Sequence, residues 1–142
     1  MLSKFLVPVD GSTYAKKVLE NAINFAKMSG ASITIMYVIH ARVYAAVQEA
    51  GFVDINIARK MEELGSSILE EAKVTAQNGG INCNTKLVHG FPSEEIVKTA
   101  EAEKYDMIVI GIRGRTGARA ALLGSISNSV NHHAKCPVLI VK

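Results

Sequence analysis

The sequence predicts an α/β fold: a single-domain open twisted sheet of five mainly parallel strands with helices on both faces. Short apolar runs rich in β-branched residues recur along the chain. Stretches with apolar residues at helical spacing alternate with them, and glycines or small polar residues stand at the junctions.

Phe5, Leu6, Val7 and Val9 form the first run, which ends at Asp10-Gly11-Ser12 and reads as a buried strand followed by a tight turn. Ser12 or Thr13 can cap the next helix. There Ala15, Val18, Leu19, Ala22, Ile23 and Ala26 recur at helical spacing, Lys16, Lys17, Glu20 and Lys27 fall mostly opposite, and Gly30 ends the helix. Ser32 to Ile39 reads as a second buried strand, so strand, helix and strand make a βαβ unit with a parallel pair and a right-handed crossover.

From His40 to Asp54 the pattern weakens, with Tyr44, Val47 and Phe52 scattered among alanines, and the expectation is a loop or an irregular helix. Ile57, Met61, Leu64, Ile68 and Ala72 restore helical spacing up to the stop at Asn78-Gly79-Gly80. Asn84 to Val88 is the third strand, with Cys83, Thr85 and Leu87 on one side by alternation. His89 to Ser93 is a loop into a helix from Ser93, whose first turn carries Glu94 and Glu95. Met107 to Ile110 is the fourth strand. The glycine-rich stretch Gly111 to Ser125 and a short helix follow, and Val138 to Val141 is a fifth strand.

A chain of 142 residues can bury a core as one domain, 1–142, without disulfides or a structural metal. Cys83 and Cys136 lack any CxxC partner and read as reduced thiols of a cytoplasmic protein. A formal charge of +3 gives no support to nucleic-acid binding, the start MLSKFLVPVD is too short in apolar residues for a signal peptide, and no apolar run is long enough to span a bilayer.

In open parallel sheets ligands bind at the carboxyl ends of the strands, where the strand order reverses. That rule puts Asp10, Val38 to His40, His89-Gly90 and Gly111 on one rim. Strand, glycine-rich loop and helix start is an arrangement that holds phosphates, because the first amides of a helix have no internal partners. The loop is neither a P-loop nor a GxGxxG fingerprint; it contains no Walker lysine. It reads Gly-x2-Gly-x9-Gly-Ser through Gly111, Gly114, Gly124 and Ser125.

That spacing resembles the ATP-binding motif of the universal stress protein family. The likeness extends through VPVDGS at the first strand, DMIVIGIRG at Asp106 to Gly114, GSISNSV at Gly124 to Val130 and CPVLIV at the end. The resemblance implies a Rossmann-like, adenine nucleotide alpha hydrolase-like fold. It implies ATP, AMP or ADP as ligand, with Mg2+ or Mn2+ accompanying the phosphates. Adenine would lie against the end of the second strand at Val38, with Pro8 and Val9 lining the base side and Asp10 by the ribose or a metal-bound water. Gly111 and Gly114 would let backbone approach ribose and phosphates. Gly124, Ser125, Ile126 and Ser127 would offer amides and hydroxyls to the phosphates, with Arg113 as a further contact. A homodimer through Val138 to Val141 is implied as well.

Structural roles compete at several of these positions. Asp10 can cap the first turn, the glycines can serve a tight loop, Ser125 can be an N-cap, the arginines can form an exposed face, and His40 and His89 can be loop residues. Hydrolysis needs a positioned base and charge stabilisation, usually with a metal, and no second carboxylate accompanies Asp10 on the rim. The expected function is a nucleotide-dependent regulatory or stress-response protein with at most slow ATP hydrolysis. The alternative is a dimeric interaction module or AMP-type sensor without turnover.

Overall fold

The computed structural model describes residues 2–49, 55–112 and 124–142. Its strands are β1 (Lys4–Pro8), β2 (Ser32–His40), β3 (Cys83–Gly90), β4 (Met107–Gly111) and β5 (Val138–Val141), and its helices α1 (Tyr14–Ser29), α2 (Ala41–Glu49), α3 (Ile55–Asn78), α4 (Pro92–Ala102) and α5 (Ser125–His133). The five strands form one sheet in the order β3-β2-β1-β4-β5, and every pairing is parallel. The fold is therefore the open parallel α/β sheet that the alternation predicts, and the Rossmann-like architecture that the resemblance implies.

β1 is central because Phe5, Leu6 and Val7 are fully buried, and successive side chains point to opposite faces. Phe5 and Val7 join the core under α1 and α3, whereas Leu6 joins the core under α4 and α5. Right-handed crossovers produce this division. The chain runs outward from β1 to β3 with α1 and α3 on one face, then returns to the far side of β1 and places α4 and α5 on the other.

Helix ends follow local chemistry. Gly30 closes α1 in the left-handed region at φ 74°, donating its N–H to Ala26 O, a conformation that costs a glycine little. Thr13 is the residue before α1 but gives no side-chain cap; Ser12 Oγ accepts Ala15 N–H at 3.3 Å instead. α4 begins at Pro92, one residue earlier than the sequence reading, because proline at the first helical position loses no internal hydrogen bond.

Two further segments refine the expectations. The stretch after β2 is a regular helix, α2, through Glu49; its alanines favour helix, and His40 Nδ1 accepts Arg42 N–H at 3.1 Å before its first turn. Phe52 lies outside the described residues. β3 is longer than Asn84 to Val88, since it pairs with β2 continuously from Ile33–Cys83 to His40–Gly90. Cys83 and Leu87 pack on the α1/α3 side, but Thr85 is exposed, as suits an edge strand. Among the described residues no helix is long and apolar enough to cross a membrane.

Candidate nucleotide site

The strand order reverses between β1 and β4, and a cleft of about 490 Å³ opens there over the carboxyl ends of the strands. It continues across the end of β2 and is walled by α1 and α3 on one side and by α4 and α5 on the other, with Val43 of α2 also in its lining. Its lining is mainly aliphatic: Val9, Met36, Val38, Ile39, Met61 and Ile110 are among the contributors. Such walls suit a flat heterocycle, with a few polar groups left to fix its orientation.

Pro8, Val9 and Asp10 line the cleft from the end of β1, Val38 from β2, Gly111 from the end of β4, and Ile126 and Ser127 from the first turn of α5. Gly124 and Ser125 stand at the start of α5 beside this lining, not in it. Arg113 and Gly114, together with Arg115, Gly117 and Arg119, lie outside the described residues.

Asp10 has a structural role and a place on the rim at once. Its Oδ1 accepts Ser12 N–H at 2.9 Å across a turn in which Gly11 has φ 78°. This Asx-type turn holds the carboxylate at the cleft edge. Among the described residues Asp10 is the one carboxylate in the lining, and no group of three or more His, Cys, Asp or Glu among them could hold a metal.

At β4 the glycine has a second reason to be there. A Cβ on Gly111 would lie 2.8 Å from Tyr14 Cε1 and 3.0 Å from Val18 Cγ2, so α1 packs directly on the strand end. Tyr14 in turn donates its hydroxyl to Val141 O at 2.6 Å, tying α1 to β5. Gly111 pairs with Val141, and Ile112 N–H donates to the same carbonyl. Tyr14 was not among the sequence candidates; an aromatic residue just after the β1 turn was its available signal.

Ser127 lines the cleft and has a structural bond as well. It is buried, and its Oγ–H donates to Gly111 O, fastening α5 to β4. With that proton engaged, the hydroxyl has none to give a phosphate oxygen, and the amide is what Ser127 can offer. The N-cap of α5 is Gly124, in extended backbone at φ −60° and ψ 158°, and Ser125 is the first helical residue. Gly124 N–H donates to Ile112 O at 2.8 Å, which joins the end of β4 to the start of α5 at the rim. Gly124 supplies no side-chain cap, so the first amides of α5 point outward without helical partners.

The two rim histidines separate. His40 lines the cleft, whereas His89 does not; its Nε2 meets Glu62 Oε1 at 3.2 Å and its ring packs edge-on against Tyr44. Neither cysteine is in the lining, both are free, and burial pushes both thiols up from their ordinary pKa.

Comparison with known proteins places this geometry among relatives. The family model described as the Universal stress protein family matches residues 1–142. The Universal stress protein MJ0531 of Methanocaldococcus jannaschii is 34% identical over 142 residues, covering 100% of this chain and 83% of that protein. The solved structure of the hypothetical protein MJ0577 superposes with a TM-score of 0.86 at 32% identity, covering 100% of this chain and 96% of that one. A universal stress protein solved in complex with cAMP superposes with a TM-score of 0.72 at 26% identity, covering 99% of this chain and 96% of that one.

Proposed function

Because the chain belongs to the universal stress protein family, we propose that its cleft binds an adenine nucleotide, ATP foremost, and that the protein acts as a nucleotide-dependent regulator in stress responses. The observation that carries this reading is the position of an apolar cleft at the β1/β4 reversal directly beside the outward-pointing amides of α5. A base fits the aliphatic walls near Pro8, Val9 and Val38. Phosphates fit the amides of Ser125, Ile126 and Ser127, which follow the N-cap Gly124, with Gly111, Gly114 and Arg113 as further contacts. The relative solved with cAMP supports an adenine ligand in this fold.

These residues hold an anion without a Walker lysine. Mg2+ or Mn2+ would arrive with the phosphates, whose oxygens would supply most of its ligands, and Asp10 is the carboxylate placed to meet it or its water. One carboxylate makes a poor hydrolytic centre, so turnover is slow at most. A steady phosphate release that disappears in Asp10→Ala would instead mark a working ATPase.

The test is mass spectrometry of ligand released from the purified, denatured protein, together with titration by ATP, ADP, AMP and cyclic AMP. Failure of all four to bind at millimolar concentration would end this reading. The alternative, an interaction module or AMP-type sensor, draws support from β5, an edge strand whose Val138, Leu139 and Ile140 are half-buried. Such an edge can pair with a second copy. Sedimentation should then show a homodimer, and Gly124→Trp should remove nucleotide binding while the dimer and the stress phenotype persist.

A further inference from the structure

We propose that His40 reads the base: its Nε2–H donates a hydrogen bond to a ring nitrogen of the bound adenine. The inference rests on the nucleotide reading above and concerns a residue that the family motif does not include.

His40 ends β2 two residues after Val38, and alternation puts the two side chains on the same face of the sheet. It lines the cleft. Its ring is fixed from two sides. Phe91, before α4, meets it edge-on with ring centroids 5.8 Å apart, and Arg42 N–H donates to its Nδ1 at 3.1 Å. A nitrogen that accepts a backbone N–H carries a lone pair and no proton. The neutral ring therefore bears its proton on Nε2, and only one tautomer satisfies the turn into α2. Among the described residues Nε2 has no hydrogen-bonding partner. A donor of fixed sense thus stands in a cleft whose other walls are largely aliphatic.

Adenine complements such a donor, because its ring nitrogens N1, N3 and N7 are acceptors. In guanine, N1 carries a proton instead. A donor held by the α2 turn thus reads acceptor positions on the base and is indifferent to the number of phosphates.

His40→Asn isolates the donor. The asparagine Oδ1 takes the place of Nδ1, still accepts Arg42 N–H and still suits the position before a helix, while the Nε2 donor is gone. Calorimetric titration should show ATP, ADP and AMP weakened alike, by about threefold to tenfold, the range for one neutral hydrogen bond. Thermal unfolding of the ligand-free variant should match wild type. The same titrations with 1-deaza-, 3-deaza- and 7-deaza-ATP identify the atom: one analogue should bind wild type more weakly than ATP but bind His40→Asn as well as ATP does. The inference is overturned if ATP binds His40→Asn and wild type equally, or if every analogue loses the same factor in both proteins. Either result leaves the nucleotide reading standing. Absence of any binding by wild type removes both.

Discussion

At the amino end of the sheet, polar side chains reach across between elements far apart in sequence. Ser3 donates from its backbone N and its Oγ to Asp106 Oδ2, each at 2.9 Å, Lys4 Nζ donates to Glu103 O at 2.7 Å, and the same ammonium lies 4.1 Å from the Tyr105 ring centroid. These contacts clasp the start of β1 to the start of β4. At the carboxyl end the polar side chains shape a rim: Asp10 bonds within its own turn, Ser127 fastens α5 to β4, and Tyr14 reaches β5. Among the described residues, backbone amides, the Asp10 carboxylate, the Ser12 and Ser125 hydroxyls and the His40 ring nitrogen remain there for a ligand. One end of the sheet is closed by its side chains, and the other uses its side chains to keep a cleft in shape.

If the two ends are separable, damage at the amino end should alter stability and leave nucleotide affinity alone. The largest effect is expected for Tyr105→Ala. Tyr105 is buried in the core cluster that holds Leu6, Ile96 and Ile108 and lies under Lys4, so truncation leaves a cavity and should cost about 3–5 kcal/mol in urea unfolding. Below the unfolding transition, the dissociation constant for ATP should stay within about twofold of wild type, well under the tenfold that 1.4 kcal/mol represents. A parallel fall in affinity would show that the two ends act as one unit.

Gly111→Ala probes the opposite end, where stability and affinity should fall together. The new Cβ would press on Tyr14 and Val18, and overpacking of this kind costs about 1–3 kcal/mol. Because Tyr14 must shift and it lines the cleft, ATP titration should weaken as well. Unchanged affinity with reduced stability would assign Gly111 to helix packing alone.

How far the sequence exposes these relations depends on whether they are local. β1 is legible because burial on both faces makes it a continuous apolar run, and α1 because one face is buried and the other solvated. The positions of Asp10, Val38 and Gly111 on one rim follow from the alternation of elements and the rule for parallel sheets, whereas those of Pro8 and Val9 follow from the family resemblance. α2 is less legible: alanines give helix propensity without a stripe, so nothing in the pattern separates a regular helix from an irregular one. The bond from Tyr14 to Val141 joins residues 127 apart in sequence, and no local periodicity encodes it. The inward turn of the Ser127 hydroxyl and the different surroundings of His40 and His89 likewise arise only when α5, α3 and the strand ends come together.

Ser127→Ala should have a smaller effect on the same rim. Losing one hydrogen bond to Gly111 O costs about 1 kcal/mol, and a methyl fits the space of the hydroxymethyl. Since the hydroxyl proton is engaged within the protein, affinity for ATP should change only through slackening of α5 against β4. Loss of affinity for ATP much greater than for adenosine would reveal direct phosphate contact by the hydroxyl and shift the division of labour at the rim.

The smallest effect is expected at the amino-end clasp, and pH exposes it. Asp106 is held below its usual pKa first by the Ser3 backbone N–H and then by the Ser3 hydroxyl, with a lesser contribution from the Lys4 backbone; partial burial opposes them. A depressed folded-state value means that the carboxylate contributes stability above the unfolded-state pKa of about 3.9, and that this contribution fades as pH falls through the folded value. Asp106→Asn cannot titrate. Its urea midpoint should therefore lie below that of wild type at pH 7, and the gap should narrow as the solution is taken below about pH 4. ATP affinity should be the same in both proteins at pH 7, because the clasp stands at the end of the sheet away from the cleft. A gap that widened in acid would mean that the protonated carboxyl, not the carboxylate, is the form that Ser3 holds.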